Sequence, residues 1–218
     1  MCFSPTASFT AAAVTGALGL IAVTRIKRWG DLPLALTPIF FAVQQAIEGL
    51  IWLKAPMEPG VSMSGPLVLA YLLFAQVLWP LYAPAAVLCL ETDPKRRRLI
   101  LPWLAVGVAV AVWLLWGLLS RPYSVSVGEG HLAYATGQTR MVASGAGYLA
   151  AIGLPLLLSS SRAVVVLGVI VLTGWVVAYI AYLAAFQSVW CYFAAVASVV
   201  VIGHFELARR RAPALAPG

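Results

Sequence analysis

Charged residues are scarce in this sequence: they occupy 10% of its 218 positions, whereas 62% of the residues are hydrophobic. A soluble globular domain carries about a quarter charged residues and about half apolar ones. A chain with so few charges cannot cover its folded surface with groups that water solvates, so its exterior must face lipid. The composition therefore excludes an ordinary soluble domain and predicts an integral membrane protein of one domain.

Histidine and lysine are too few, or in the wrong places, for several familiar kinds of membrane protein. The chain has two histidines and no helical histidine pair, so we expect no haem b between its helices. The same scarcity excludes seven-helix hydrolases of the ceramidase and progestin-receptor type, which need several histidines around zinc. The last apolar run has no lysine, which excludes a retinal Schiff base as in microbial rhodopsins, and no phosphate-binding glycine loop is present.

Seven apolar stretches are long enough, or nearly so, to cross roughly 30 Å of hydrocarbon as helices. They lie at about Ala7–Ile26, Leu32–Leu53, Ser64–Leu90, Leu99–Leu119, Met141–Leu158, Ala163–Phe186 and Ser188–Leu207. The last two are close together, but a single helix over both would far exceed the bilayer. We therefore predict an all-α membrane protein with seven transmembrane helices, as a single domain over residues 1–208 with a cytoplasmic tail over residues 209–218.

The basic residues predict how these helices are oriented. Of the fourteen lysines and arginines, eleven follow the first, third, fifth and seventh predicted helices, and three lie on the opposite side. Because loops rich in lysine and arginine stay in the cytoplasm, we predict an outer N-terminus and a cytoplasmic C-terminus. The basic clusters are not interleaved with aromatic residues, so we expect no nucleic-acid partner. No positive charge precedes the first apolar run, which argues against a cleavable signal peptide.

One sizeable loop runs from Ser120 to Arg140, between the fourth and fifth predicted helices and on the outer side. Within it, Tyr123–Val127 and His131–Ala135 flank a turn that contains two glycines. Short segments with strand-forming residues on either side of a glycine turn are typical of a β-hairpin. We therefore predict an extracytoplasmic hairpin that forms a lid or rim over the bundle.

The second predicted helix has a polar face. At 100° per residue, six of its side chains fall within an arc of roughly 100°: Thr37, Phe41, Gln44, Gln45, Glu48 and Trp52. An ionisable residue well inside a span is costly and usually faces the bundle interior or a wet cavity. We therefore interpret Glu48, flanked by Gln44 and Gln45, as the centre of a ligand-binding site. The alternative is that these three residues are polar contacts between helices, with Glu48 protonated.

Tryptophans on three predicted helices extend this site. Trp52, Trp79 and Trp190 are placed to line an aromatic cavity, and Pro80 predicts a kink that opens space beside Trp79. The alternatives are core packing for Trp79 and a place in the interfacial aromatic belt for Trp52 and Trp190.

Two of the three cysteines share the predicted depth of Glu48. Cys2 precedes the outer end of the first helix, and Cys191 lies in the first turn of the seventh, whereas Cys89 lies at the cytoplasmic end of the third. In an oxidising compartment Cys2 and Cys191 could form a disulfide. With Glu48 and His131 they could instead form a redox or metal site, for which zinc or copper would be suitable. The third alternative is that they are unrelated buried thiols.

Six short segments carry a family resemblance. They are Met1–Phe9, Gln44–Trp52, Leu78–Pro80, Leu157–Ser160, Ser188–Ala195 and His204–Phe205. Together they span the whole chain and resemble an uncharacterised family of bacterial integral membrane proteins, known as a domain of unknown function, with an N-terminal Met-Cys-Phe-Ser motif. The resemblance implies a multi-helix protein of the bacterial cytoplasmic membrane and assigns no reaction. Its segments contain Cys2, Gln44, Gln45, Glu48, Trp52, Trp79, Trp190 and Cys191.

These features support three hypotheses of function. The first is a transporter or sensor that binds a small molecule or ion in the outer half of the bundle, with Glu48 as the charged anchor. The second is an intramembrane enzyme that uses a metal ion or the two thiols, with Glu48 as the base. The third is a subunit of a larger membrane complex or a homo-oligomer. Its contact surface would be the small residues of helix one: Ala13, Gly16, Ala17 and Gly19.

Overall fold

The computed structural model describes residues 4–56, 58, 61–128, 131–137, 142–181 and 186–211; for residues 142, 143, 186–188, 191, 192, 194, 196 and 208–211 the backbone alone is described. The helices are α1 (Pro5–Val23), α2 (Leu32–Lys54), α3 (Pro66–Leu72), α4 (Trp79–Leu90), α5 (Pro94–Ser120), α6 (Val142–Leu158), α7 (Arg162–Ala181) and α8 (Phe186–Arg211). A π-helical segment, Leu73–Leu78, joins α3 to α4 without a break. The described residues therefore form seven helical rods.

Five of these rods are long and apolar enough to cross a membrane. They are Pro5–Val23, Trp29–Lys54, Pro66–Leu90, Pro94–Ser120 and Arg162–Ala181, and the described residues also contain two shorter apolar helical stretches, Ser144–Leu158 and Ala197–Leu207. The prediction of a mainly helical protein with several membrane-crossing helices is confirmed at this level, and the chain has the helices of a multi-pass membrane protein.

Several helices extend beyond the predicted spans because helical structure does not stop where charged residues begin. α5 starts at Pro94 instead of Leu99, since the Asp93 carboxylate caps it by accepting from the Lys95 backbone N–H at 2.9 Å. α8 continues to Arg211, so the first residues of the predicted tail are helical. At the other end of the chain, Ser4 caps α1 by accepting from the Ala7 N–H at 3.2 Å, which places the helix start at Pro5.

The π-helical segment precedes Pro80, at the position where the sequence predicts a kink. Proline lacks a backbone N–H, and its ring clashes with the carbonyl four residues earlier in a regular α-helix. A wider turn before the proline relieves that clash and redirects the side chains that follow. The Ala75 carbonyl within this segment accepts a hydrogen bond from the Tyr148 hydroxyl at 2.5 Å, which fastens the segment to α6.

α1 packs along α2 through small residues. A Cβ atom at Gly16 would lie 3.4 Å from the Ala42 Cβ, and a Cβ at Gly19 would meet Ile39. Ala13 and Ala17, by contrast, are exposed. Gly16 and Gly19 are therefore used for close packing within the chain, and a partner-binding surface on helix one stays a prediction.

A small sheet covers the end of the bundle at which α2 and α5 end and α3 begins, called here the sheet end. Its strands β1 (Ser62–Met63), β2 (Tyr123–Gly128) and β3 (His131–Thr136) are antiparallel in that order. The register pairs Val125 with Tyr134, and Val125 is fully buried. The Tyr134 ring stacks on Tyr71 of α3 with centroids 4.4 Å apart, so the sheet is anchored to the third helical rod.

α4 and α5 cross so closely that a glycine is needed between them. A Cβ atom at Gly107 would collide with the Pro80 carbonyl and would lie 3.5 Å from the Ala151 Cβ. We expect Gly107→Ala to destabilise the protein by about 1–3 kcal/mol, because backbone atoms must shift to admit the methyl group. Gly145→Ala is the matched control, since a Cβ there meets nothing within 4 Å. Unfolding in detergent measures both, and equal stability of the two variants would contradict this account of the crossing.

Candidate binding site in the helix bundle

The polar face predicted on α2 is fully inside the bundle. Gln44, Gln45 and Glu48 are 0% exposed, and Trp52 is also buried. The first three side chains reach neither lipid nor water from the bundle surface. Hydrogen-bonding groups so placed need partners inside the protein or in a bound molecule. Gln44 has such a partner in the protein, whereas Gln45 has none among the described residues.

Gln44 is bound to the third helical rod. Its Oε1 accepts a hydrogen bond from the Trp79 indole Nε1 at 2.8 Å. The Trp79 ring in turn stacks on Phe41, with ring centroids 4.0 Å apart and planes 19° apart. Gln44 and Phe41 therefore hold Trp79 from two sides, and the three residues connect α2 with α4.

Gln45 has no such partner. Neither its Nε2 nor its Oε1 makes a hydrogen bond to any residue that the structure describes. A buried polar atom that is left unpaired costs about 1–3 kcal/mol, so two such atoms on one side chain are a substantial penalty. Because native proteins keep very few of these groups, each one calls for an explanation such as a bound ion, ligand or water.

Other buried polar atoms of the same half of the bundle share this condition. Ser8 Oγ on α1, Trp52 Nε1 on α2 and Gln76 Oε1 on the π-helical segment have no hydrogen-bond partner among the described residues. Phe9, next to Ser8, packs on Gly49 of α2, so Ser8 lies near the level of Gln45. These three groups and Gln45 lie on α1, α2 and the π-helical segment, in the half of the bundle nearer the sheet. We call Ser8, Gln45, Trp52 and Gln76, together with the buried Glu48, the polar layer.

A separate apolar cavity of about 60 Å³ lies between α2, α4, α6, α7 and α8. Phe41, Trp79, Tyr82 and Trp190 give it an aromatic wall. Its α2 residues precede the polar layer, so it lies towards the end of the bundle opposite the sheet. The Trp190 indole donates to the Val171 carbonyl at 3.0 Å.

The structure thus divides the predicted ligand-binding residues between two regions. Trp79 and Trp190 line the apolar cavity, whereas Gln45, Glu48 and Trp52 are not among its lining residues. Gln44 connects the two regions through its hydrogen bond to Trp79. Phe41 and Trp79, which stack on each other, line the apolar cavity, and the single ligand site predicted from all six residues stays a prediction.

The predicted thiol site lies outside the described residues. Nothing is described of Cys2 or of the Cys191 side chain, so the disulfide and the metal site with Glu48 and His131 stay predictions. His131 is half-buried at the start of β3. Among the described side chains, no group of three histidines, cysteines, aspartates or glutamates is arranged to bind one metal ion. Cys89 is free and exposed.

A second buried acid, which the sequence reasoning missed, lies at the end of the bundle opposite the sheet. Glu91 follows α4 and is 3% exposed. Its Oε1 accepts from the backbone N–H groups of Thr92 and Asp93, both at 3.0 Å, and from the Ser160 hydroxyl at 2.9 Å. Its Oε2 accepts from the Ser160 backbone N–H at 2.7 Å. Glu91 therefore fastens the α4–α5 connection to the α6–α7 connection.

These hydrogen bonds also set the charge state of Glu91. Burial by itself would raise the pKa of this carboxyl, but the hydrogen bonds from Ser160, Asp93 and Thr92 outweigh it and hold the pKa below its ordinary value. Arg96 reinforces the same junction by donating to the Leu158 carbonyl at 2.7 Å. In the sequence, the signal for Ser160 was its place in the Leu157–Ser160 segment of the family resemblance. Nothing in that segment indicates that Ser160 binds Glu91.

Comparison with known proteins places the chain in a family but gives it no activity. No curated protein and no solved structure matches it. A family of unknown function, DUF6629, matches residues 1–217, almost the whole chain. The chain therefore belongs to the DUF6629 family.

Proposed function

We propose that this chain is a seven-span protein of the bacterial cytoplasmic membrane that binds a small cation, as a transporter or sensor, in the polar layer of its bundle. The N-terminus and the sheet would lie outside, and the Glu91 end would lie in the cytoplasm. The distribution of basic residues supports this orientation, since Lys95–Arg98 and Arg162 are at the end opposite the sheet.

The observation that carries the proposal is the fully buried Gln45 amide without a partner among the described residues. Its Oε1 offers a lone pair, and Ser8 on α1 carries a second buried oxygen without a partner among the described residues. Glu48, one helical turn from Gln45, supplies a carboxyl group at 0% exposure. A carboxyl group with amide and hydroxyl oxygens favours a cation, such as a proton, a monovalent metal ion or a protonated amine.

The π-helical segment strengthens the case for a binding site at this level. Such segments are rare and are frequent at functional sites, because the wider turn releases backbone and side-chain groups from regular packing. Here the segment carries Gln76, whose buried Oε1 has no partner in the part of the chain that the structure describes. Two neighbouring rods thus present unpaired amide oxygens, one from Gln45 and one from Gln76.

A cation that binds the folded protein raises its stability, by about 2.7 kcal/mol at one hundred times the dissociation constant. We expect Na⁺, K⁺ or methylammonium, tested one at a time against choline at constant ionic strength, to raise the unfolding temperature of the detergent-purified protein in a saturable way. Glu48→Gln and Gln45→Met should abolish this response, because they remove the anchor and the amide.

Glu58→Gln is the matched control, since Glu58 is an exposed acid outside the helices and should leave the response unchanged. A response that persists in Glu48→Gln would contradict the proposal, as would the absence of any response in the wild-type protein together with a lack of proton uptake into proteoliposomes. Flux of the stabilising cation across proteoliposomes would identify a transporter, and stabilisation without flux would identify a sensor.

A further inference from the structure

The apolar cavity has a chemistry of its own, which the cation site does not use. Four polar side chains that line it already donate to acceptors of the protein: Trp79 to Gln44, Trp190 to Val171, and Tyr82 and Thr37 to Pro33. Ser198 is the exception. Its residue is 1% exposed, it lines the cavity, and its Oγ has no partner among the described residues.

Water is a poor occupant of such a space. A buried water usually makes about three hydrogen bonds to the protein, and the side chains that line this cavity leave one hydroxyl without a partner. The aromatic wall of Phe41, Trp79, Tyr82 and Trp190 instead favours contact with an apolar group. The matching occupant is therefore mostly apolar, neutral and equipped with a single hydrogen-bonding group.

The size of the cavity limits the occupant further. A cavity of about 150 Å³ in another protein holds benzene, whereas this one measures about 60 Å³. That ratio leaves room for roughly two to four non-hydrogen atoms. We propose that the cavity is a binding site for a small neutral molecule of the short-chain alcohol or carbonyl class, whose polar group bonds to Ser198. This site goes beyond the proposed cation site and does not depend on it.

Quenching of tryptophan fluorescence tests the proposal directly, because Trp79 and Trp190 lie in the cavity wall. The probes are 2-bromoethanol, which carries a hydroxyl group, and bromoethane, which does not. We expect saturable quenching by both in the detergent-purified protein, on top of linear quenching of the other tryptophans. 2-Bromoethanol should bind more tightly, and Ser198→Ala should weaken its binding roughly three- to tenfold while leaving bromoethane unaffected.

Two variants locate the bound probe. Ala83→Leu fills the cavity from α4 and should remove the saturable component for both probes, whereas Ala109→Leu, at an exposed position on α5, should keep it. Ser120→Ala controls for loss of a hydroxyl elsewhere. Purely linear quenching of the wild-type protein would show an empty packing defect only and overturn the proposal. Saturable quenching that survives Ala83→Leu, or an equal effect of Ser198→Ala on both probes, would overturn it as well.

Discussion

Replacing Gln45 by methionine should stabilise the cation-free protein, whereas the same replacement at the adjacent Gln44 should destabilise it. We expect Gln45→Met to raise the free energy of unfolding by about 1–3 kcal/mol, because it removes two buried amide atoms that have no partner among the described residues. Methionine is close to glutamine in length and shape, so the packing of α2 should change little.

Gln44→Met should lower the free energy of unfolding by about 1–3 kcal/mol. It removes the acceptor at 2.8 Å from Trp79 Nε1 and leaves a buried indole N–H unpaired. Both variants replace glutamine by methionine at adjacent positions of α2, so each is a control for the other. Their difference, about 4 kcal/mol at the centre of the two ranges, isolates the partner that Gln44 has and Gln45 lacks.

The measurement is chemical unfolding of the purified variants in detergent, with choline as the sole added cation. Equal losses for the two variants would mean that the Gln45 amide is bonded within the protein itself. In that case the polar layer would be structural, and the cation site would lose the observation that supports it. If Gln45→Met stabilises the cation-free protein and also removes the cation response, Gln45 serves cation binding and not the stability of the fold.

The contrast between these two glutamines also shows what the sequence could predict. Helical periodicity placed Gln44, Gln45 and Glu48 on one face, and the cost of polar groups in lipid implied that this face is buried. Their individual partners depend on how neighbouring rods are rotated about their axes. Periodicity within one helix contains no information on that rotation, so two adjacent residues of the same type could not be distinguished.

Burial was predicted better than the cavity that each buried side chain lines. Trp79 and Trp190 were assigned to the site from their depth, but they face the apolar cavity and not the polar layer. For Trp79, the π-helical segment contributes to this difference, because it changes the direction in which the side chains of α4 face relative to those of α3. Hydropathy likewise located the apolar stretches but not the ends of α5 and α8, which continue through basic residues. Seven spans, an outer N-terminus and the thiol site remain predictions.

Glu91 should be among the most sensitive positions for stability. Glu91→Ala deletes an acceptor of four hydrogen bonds and leaves the backbone N–H of Ser160 without its carboxylate. Because hydrogen bonds to a charged group are worth about 1.5–3 kcal/mol each and are not additive, we expect a loss of about 3–5 kcal/mol. Asp93→Ala, which removes an exposed helix cap next to it, should cost about 1 kcal/mol.

The pH dependence of Glu91→Gln separates charge from shape. In Glu91→Gln, the amide NH₂ group would point either at the Ser160 N–H or at the three donors that now bind Oε1. A donor would then face a donor, so we expect the variant to be less stable than the wild-type protein at neutral pH.

The pKa of Glu91 is lower in the folded protein than its ordinary value of 4.5. Its stabilising effect is therefore complete above that value and is lost as the pH falls through the folded pKa. The stability difference between the wild-type protein and Glu91→Gln should shrink as the pH is lowered below about 4.5. A difference that stays constant down to pH values at which the carboxyl is protonated would show that the misdirected amide donor, and not the lost charge, destabilises Glu91→Gln.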